Sequence, residues 1–402
     1  MCDMIKKMTI HFVALLLTLS TAAQQVFVPG QSYFGTNNYI EYVAGNMPLI
    51  ITAPHGGNLA PASIPDRSCA GCTNVKDTNT EEMARALAQS VYERTGCYPH
   101  VIINRLHRKK LDANRDLPEA ADGNVEAGLA WEDWHTFIQQ AQNSVKFNFG
   151  KGFYVDLHGH GHTIQRLELG YLLYKTELQL TDSVLNTPTY INYSSIRNLA
   201  SNNLNDYTHA ELLRGPAALG SLLAAQGYPA VPSSPDPFPQ TADDYFNGGY
   251  NTDRYSSVNG GTIDGVQIES NYDGVRNNLT NINRFTDSLA VSLLHYLREH
   301  YFGDLTDELC SLTQVANPGE QPLSEIFPNP SCGQFYIRQT DTSGAVWTAE
   351  VYSFQGTKLF SLPLPANELV RVSLLRNQQN VYVVLLRDGV GVRMQAVLDY
   401  CR

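Results

Sequence analysis

Basic residues are scarce in this sequence and never form a long run. The chain contains 28 Lys and Arg against 39 Asp and Glu, which gives a formal net charge of -11. A protein whose main partner is nucleic acid usually presents a face of Lys and Arg to the phosphates. We therefore expect no nucleic-acid partner.

Long apolar segments are lacking beyond the first residues, which predicts no transmembrane segment in the mature chain. At the start of the chain, Lys6 and Lys7 precede an apolar run at 10–19, and small residues follow it at 20–23. This order is typical of a secretory signal peptide and predicts cleavage after Ala23. The alternative is an uncleaved membrane anchor, although the run is shorter than a membrane-spanning helix.

No second cysteine pair accompanies Cys69 and Cys72, whose spacing alone would suit a redox motif or half of a zinc site. Disulfides persist in the oxidising environment outside the cytoplasm. We therefore expect a structural disulfide, either between these two residues or to Cys97. Cys332 and Cys401, at the two ends of the last predicted domain, form a further candidate pair.

The 402 residues are too many for one ordinary core. Up to about residue 301, apolar strand-like runs alternate with periodic helix-like segments. This alternation predicts an α/β domain with an open sheet and helices on both faces. After about residue 322, short alternating runs predict a small all-β sandwich. The predicted boundaries are a signal peptide at 1–23, the α/β domain at 24–308, a linker at 309–322 and the sandwich at 323–402.

Two segments of the α/β domain carry local signals. Thr78 and Glu81 fit a capping box at the start of a helix that ends near Gly96. The segment at 229–262 is rich in Pro and Tyr and predicts a long irregular insertion. Such an insertion is either a lid that shapes a substrate site or a solvated loop.

Polar residues follow several predicted strands, and in open α/β sheets the chemistry gathers beyond the strand ends. A hydrolytic zinc ion is typically held by three His, Asp or Glu side chains and keeps one position open for water. His55, Asp77 and His158 are the predicted ligands of one Zn²⁺ per chain. His160 or His162 could replace His158, and Asp77 could instead only complement the dipole of the helix after it.

Two further residues complete this chemistry. Glu269 ends a predicted strand and is the predicted general base, which takes a proton from water and returns it to the leaving amine. Arg115 offers a fork of donors for a substrate carboxylate or a developing oxyanion. The structural alternative for Arg115 is a salt bridge to Asp112 or Asp116.

The order of four motifs resembles the N-formylglutamate amidohydrolase-like family, a branch of the zinc carboxypeptidase-like fold. The motifs lie at 53–57, 111–116, 155–159 and 266–269 and read APHGG, LDANRD, VDLHG and VQIE. The resemblance covers about residues 45–300 and implies a zinc carboxypeptidase-like open mixed sheet. The Cys69–Cys72 motif, the insertion and the signal peptide depart from the family's compact cytoplasmic members.

The same resemblance implies roles for individual residues. His55 looks like the first zinc ligand and His158 the last, while the acidic ligand is Asp77 or, alternatively, Glu81 or Glu82. Glu269 resembles the family's general base. The resemblance further implies a substrate-binding group that grips a carboxylate, formed by Asn114 and Arg115 with Arg276 assisting.

The tail resembles a different domain. The stretch at 326–335, IFPNPSCGQF, is similar to the opening of a type IX secretion sorting domain. This resemblance implies a Bacteroidota-type source, passage through the periplasm, and delivery to the cell surface or medium with the type IX machinery as a partner. The alternative is a carbohydrate-binding or adhesive β-module.

These features together predict a secreted zinc hydrolase that cleaves an amide bond in a small carboxylate-bearing substrate, such as an N-acyl amino acid or a short peptide. One alternative is a surface-exposed binding protein with a degenerate metallohydrolase pocket. Another is a zinc esterase or deacylase, which would share the site and differ in the bond that it cleaves.

Overall fold

The computed structural model describes residues 27–303 and 310 and seven stretches of the C-terminal part. These stretches are 324–327, 334–339, 347–353, 358–365, 369–373, 381–387 and 392–399. The predicted signal peptide, Cys332, Cys401 and all of the predicted linker except Cys310 lie outside the described residues.

One eight-stranded sheet, in the order β1-β2-β4-β3-β5-β8-β6-β7, forms the centre of the larger part. Strands β4, β3, β5 and β8 pair in parallel, and antiparallel pairs flank them. The predicted mixed α/β sheet is thereby confirmed. The strands are β1 Ser32–Phe34, β2 Ile40–Val43, β3 Leu49–Ala53, β4 His100–Asn104, β5 Gly152–Gly159, β6 Leu167–Gly170, β7 Ala230–Val231 and β8 Ile263–Ser270.

Eleven α-helices are present among residues 27–303. They are α1 Thr80–Thr95, α2 Leu117–Ala121, α3 Val125–Phe149, α4 Lys175–Leu178, α5 Asp182–Leu185, α6 Pro188–Tyr193, α7 Arg197–Asn202, α8 His209–Arg214, α9 Leu219–Ala225, α10 Tyr250–Tyr255 and α11 Leu279–Leu297. None of the described helices combines the length and the hydrophobicity needed to cross a bilayer.

The two faces of the sheet bury different sets of helices. Alternate residues of a strand point to opposite faces, and in β3 Ile51 joins the cluster that contains Met83 of α1 and Phe285 of α11. Ile50 joins the cluster on the other face, which contains Trp134 of α3. The prediction of helices on both faces is therefore correct.

Two local predictions differ from the structure. Helix α1 begins at Thr80 and has Asn79 as its N-cap, without a side-chain cap. The predicted capping box is wrong because the N-cap is Asn79 and not Thr78. The Asn79 amide donates to the carbonyl of Arg276, and the Thr80 hydroxyl donates to the carbonyl of Asp77. His158 was expected just beyond its strand and lies inside β5.

The C-terminal part contains two antiparallel sheets of three and four strands, in the orders β13-β10-β9 and β12-β11-β14-β15. The strands are β9 Ser324–Phe327, β10 Gln334–Gln339, β11 Trp347–Ser353, β12 Lys358–Leu364, β13 Leu369–Ser373, β14 Val381–Arg387 and β15 Val392–Asp399. Both sheets contribute to one apolar cluster, formed by Ile337, Trp347, Ala349, Val351, Leu364, Val372, Val384 and Leu386.

Two disulfides join described residues. Cys69 bonds Cys72, as the first of the two sequence alternatives predicted. Cys97 bonds Cys310 instead, so the alternative that paired it with the motif is wrong. The second bond ties Cys97, two residues after the end of α1, to the segment that follows α11.

Candidate active site

Three neighbouring strand ends place polar side chains at one edge of the sheet. His55 follows β3 by two residues, and His158 and Glu269 are the next-to-last residues of β5 and β8. Because β5 and β8 are parallel and in register, His158 and Glu269 face each other directly. The edge therefore gathers residues that are far apart in the sequence.

His55, Asp77 and His158 converge on one point. The Asp77 Oδ2 atom lies 3.3 Å from His55 Nδ1 and 3.3 Å from His158 Nδ1, and all three residues are buried. Ligand atoms bound about 2.0–2.1 Å from a tetrahedral ion are themselves about 3.3 Å apart. The donor set and its spacing therefore fit a zinc ion.

Two outer carboxylates fix the orientation of both imidazoles. The Nε2 atom of His55 lies 2.6 Å from Asp112 Oδ1, and that of His158 lies 2.9 Å from Asp156 Oδ2. In the tautomer that carries its proton on Nε2, each imidazole donates a hydrogen bond to its carboxylate and directs the lone pair of Nδ1 to the common centre. Carboxylates that orient ligand histidines in this way are typical of metal sites.

Asp77 is held from several sides. The backbone N–H of Gly159 donates to its Oδ2 atom at 3.1 Å, and Arg108 Nη1 lies 3.5 Å from its Oδ1 atom. Burial alone would raise the pKa of Asp77, but the charges and hydrogen bonds of His55 and His158 outweigh it and lower the pKa well below its usual value. The carboxyl group is therefore ionised, as a metal ligand must be.

The electrostatics favour a positive charge at the centre. Burial disfavours the protonated form of His158, yet the neighbouring carboxylates, chiefly Asp156, raise its pKa well above the ordinary value. The carboxylates around this buried imidazole therefore attract a cation, which is a proton when no metal ion is bound. The same field would favour a divalent metal ion.

Glu269 stands beside the centre without joining the three converging atoms. Its Oε1 atom lies 4.0 Å from His158 Nδ1 and accepts a hydrogen bond from Gln267 Nε2 at 2.9 Å. Burial raises the pKa of Glu269 to about 8, against the opposing charge of His158. A carboxyl group with a raised pKa, close to the reacting centre, suits proton transfer near neutral pH.

Asn114 and Arg115 both line the pocket. The Asn114 Oδ1 atom accepts the backbone N–H of Asn251 at 2.8 Å, which fixes the amide with its Nδ2 group on the other side. Arg115 forms an ion pair with Glu119, one helical turn further on, at 3.0 Å. The expected partners of this arginine, Asp112 and Asp116, are used elsewhere, because Asp112 binds His55 and Asp116 caps α2.

Arg276 lies away from the pocket. Its Nε, Nη1 and Nη2 atoms donate to the backbone carbonyls of Ser270, Thr78 and His160. The residues that line the described pocket do not include Arg276. Its side chain ties the last residue of β8 to the segments that contain Thr78 and His160, and its contact with substrate stays a prediction.

The alternative ligands occupy other positions. Glu81 pairs with Arg85 at 2.9 Å, and neither Glu81 nor Glu82 lines the described pocket. His160 and His162 form a separate group with Glu168. In this group His162 Nδ1 lies 2.8 Å from the Glu168 carboxylate, and both ring nitrogens of His160 are hydrogen-bonded to backbone groups.

The pocket has a volume of about 130 Å³, and the Pro/Tyr-rich insertion forms one of its walls. Phe246, Gly248 and Gly249 of the insertion line it. The insertion is anchored because Arg166 pairs with Asp236 and with Asp243, each at 2.9 Å. Of the two sequence interpretations, the structure supports a segment that shapes the pocket.

Sequence reasoning missed Arg108, Asp156 and Gln267 as parts of the site. Asp156 and Gln267 each stand two residues before a recognised residue in a strand, His158 or Glu269. Residues two apart in a strand point to the same face, so this spacing was a usable signal. Arg108 carried no such signal, because a loop brings it to Asp77.

The sequence matches no protein-family model and no curated protein. Among solved structures, an N-formylglutamate amidohydrolase from Ralstonia eutropha JMP134 aligns at 12% identity with a TM-score of 0.37, covering 62% of this chain and 93% of that one. A provisionally assigned metallopeptidase from Shewanella amazonensis SB2B aligns at 9% identity with a TM-score of 0.26, covering 64% and 80%. Scores this low carry no functional argument, so support for a function has to come from the geometry of the site.

Proposed function

We propose that this chain is a zinc-dependent hydrolase of an amide bond in a carboxylate-bearing substrate, either an N-acyl amino acid or a short peptide. One observation carries the proposal: one oxygen of Asp77 lies 3.3 Å from the Nδ1 atom of each of two histidines, beside the carboxyl group of Glu269. Three such ligands with an adjacent base are the parts that metal-assisted hydrolysis requires.

His55, Asp77 and His158 would hold the ion. When bound, Zn²⁺ supplies Lewis acidity and lowers the pKa of water to about 7. Glu269 takes a proton from the attacking water and delivers it to the nitrogen of the leaving amine as the C–N bond breaks. The low solvent exposure of Glu269 keeps competing water away from this transfer.

Arg115 and Asn114 bind the substrate. Arg115 is about one-third exposed at the side chain and faces the pocket, so it can exchange part of its contact with Glu119 for a substrate carboxylate. The Nδ2 group of Asn114, which lies 3.5 Å from His158 Nε2, offers a second donor next to it. Together they would orient the substrate so that the scissile carbonyl lies beside Glu269.

Elemental mass spectrometry of the purified mature protein tests the metal. We expect about one zinc per chain, and its loss in His55→Ala. Hydrolysis of a panel of N-acetyl amino acids and dipeptides, followed by amine release, tests the reaction. A zinc-loaded protein that binds these compounds without cleaving them would instead favour the binding-protein alternative.

We also propose that the chain is exported and that the C-terminal β-domain directs its sorting. The two disulfides support this proposal, because such bonds form and persist in oxidising compartments. In a type IX-competent host, deletion of 323–402 should retain the protein in the periplasm. Equal amounts of full-length and truncated protein in the medium would contradict the sorting role.

A further inference from the structure

Phe246 is an aromatic side chain that lines the pocket while 44% of its surface remains exposed. Single exposed apolar side chains are common on protein surfaces, but Phe246 stands on the wall of the pocket that holds the candidate metal ligands. The wall belongs to the insertion at 229–262, which lies outside the four motifs that carry the family resemblance.

A buried platform holds this ring in place. The imidazole of His162 stacks on Phe246 with ring centroids 4.6 Å apart. The Glu168 carboxylate accepts from the backbone N–H of Phe246 at 2.8 Å, and its other oxygen lies 2.8 Å from His162 Nδ1. Glu168 is fully buried, and its strand β6 pairs it with Glu269. The platform therefore fixes Phe246 with respect to the reacting centre.

The charges in the pocket limit what Phe246 can contact. Two arginines line the described pocket, Arg108 and Arg115. Arg108 is occupied by Asp77 and by Asp112, at 3.5 Å and 2.9 Å. Arg115 pairs with Glu119 and is more exposed than Arg108, so it is the arginine that can bind a substrate carboxylate. A second carboxylate on the substrate would have no further arginine to pair with and would meet the carboxylates of Glu269 and Asp77, which line the same pocket.

We propose that Phe246 is a specificity-determining residue that receives an apolar substituent of the substrate, and that His162 and Glu168 are positioning residues for it. This inference rests on the proposed amide hydrolysis and specifies its substrate class. The preferred substrates carry one carboxylate and one aromatic or branched aliphatic group, and those with a second carboxylate are poor. The apolar group belongs either to the amino acid or to the acyl part.

Two substrate series distinguish an apolar group on the amino acid from one on the acyl part. The first varies the amino acid: N-acetylglycine, N-acetylphenylalanine and N-acetylglutamate. The second varies the acyl group: N-acetylglycine and N-phenylacetylglycine. In the parent, the apolar member of at least one series should have the highest kcat/KM. Burial of an apolar group in a pocket changes kcat/KM by about 10-fold to 200-fold, and Phe246→Ala should remove most of that advantage.

The pattern across substrates separates specificity from structural damage. Phe246→Ala should lower kcat/KM for the apolar substrate much more than for N-acetylglycine and should keep the zinc, and Phe246→Leu should recover part of the apolar preference. Phe34→Ala is the matched control, because Phe34 is 46% exposed and does not line the pocket. His162→Ala should reduce the apolar preference with unchanged zinc content.

Three outcomes would overturn the inference: equal losses on glycine and apolar substrates, a parent preference for N-acetylglutamate, or an apolar preference that survives Phe246→Ala. Failure of the proposed function looks different, because the zinc-loaded parent would then hydrolyse neither series. In that case, calorimetry measures the binding of the same compounds to the parent and to Phe246→Ala. The affinity for the apolar compound, relative to N-acetylglycine, should then fall in the variant.

Discussion

Two clusters in this molecule each contain two histidines and one carboxylate, and their hydrogen bonds differ in direction. At the first cluster, formed by His55, Asp77 and His158, outer carboxylates hold the Nε2 atoms and the Nδ1 atoms face one another. At the second, formed by His160, His162 and Glu168, the His162 imidazole bonds the carboxylate, and the His160 imidazole bonds the carbonyl of Arg166 and the backbone N–H of His162.

The difference shows what converts a group of histidines into a metal site. Both clusters bring their ligand atoms within 4.8 Å of one another, so proximity does not distinguish them. Histidines that are tied from behind turn their inner nitrogens toward the Asp77 carboxylate, 3.3 Å away, and a cation can be bound between them. In the second cluster the histidines are already hydrogen-bonded to neighbouring groups, and the His162 ring supports Phe246 by stacking on it.

The largest expected effect comes from removing His158 of the first cluster. Removal of His162 from the second cluster is the matching comparison. His158→Ala should abolish both zinc binding and turnover, because two ligands do not retain zinc against chelator as three do. His162→Ala should keep one zinc per chain. Elemental analysis after dialysis against a weak chelator measures both variants, and equal zinc loss from the two would remove the distinction between the clusters.

Glu269→Gln should lower kcat by about 10²-fold to 10⁴-fold, because water and leaving amine would lack their proton carrier. Zinc content should not change, since the Glu269 carboxylate is not one of the three converging ligands. Steady-state kinetics on an amide substrate give the first quantity and elemental analysis the second. A variant with parental turnover would exclude Glu269 from this role.

Asp156→Asn should weaken zinc affinity or activity by about 10-fold to 100-fold, because the outer carboxylate would no longer fix the tautomer and orientation of His158. Competition with a chromophoric chelator measures the affinity. Asp253→Asn, at an exposed position of α10, is the matched control and should behave as the parent. Parental affinity in Asp156→Asn would show that the rear hydrogen bond contributes nothing to binding.

Arg115→Ala should lower kcat/KM by about 10-fold to 100-fold for substrates with a free carboxylate, since a charge-assisted hydrogen bond is lost. Analogues with an amidated carboxylate should change little. The ratio of the two rates in parent and variant is the measured quantity. If both substrate types lose equally, Arg115 acts through the structure of the pocket and does not bind the carboxylate.

Glu168→Gln should have the smallest effect and should leave the zinc in place. The two oxygens of Glu168 each accept one hydrogen bond, from Phe246 N–H and from His162 Nδ1. The side-chain amide of the variant has a single oxygen, so one of these buried hydrogen bonds is lost. We expect a fall of about 1–3 kcal/mol in the free energy of unfolding, measured by denaturant titration. Loss of zinc from this variant would mean that the second cluster takes part in metal binding.

Several elements could be predicted from the sequence because their signals are local. Strands β3, β4, β5 and β8 follow from β-branched apolar runs, and helices α3 and α11 from periodic apolar residues. The Cys69–Cys72 disulfide is local for the same reason, since its partners are three residues apart. The Cys97–Cys310 bond spans 213 residues and left no signal in the sequence.

The candidate site was predictable in its types of residue and less so in its contacts. His55 follows β3, His158 and Glu269 are the next-to-last residues of β5 and β8, and the sheet brings all three to one edge. Arg276 was expected at the substrate, and the structure shows its guanidinium bonded to three backbone carbonyls. A sequence pattern gives the position of an arginine along the chain but not the direction of its long side chain.

By itself, the sequence determined the alternation of strands and helices and the chemical types gathered at the strand ends, because both depend on short-range periodicity. Only the tertiary structure decided which imidazole nitrogens face inward, since that choice depends on Asp112 and Asp156 across the sheet edge. It also decided that the insertion contributes Phe246 to the pocket wall. Convergence of this kind is set by strand register and loop packing, which no local pattern specifies.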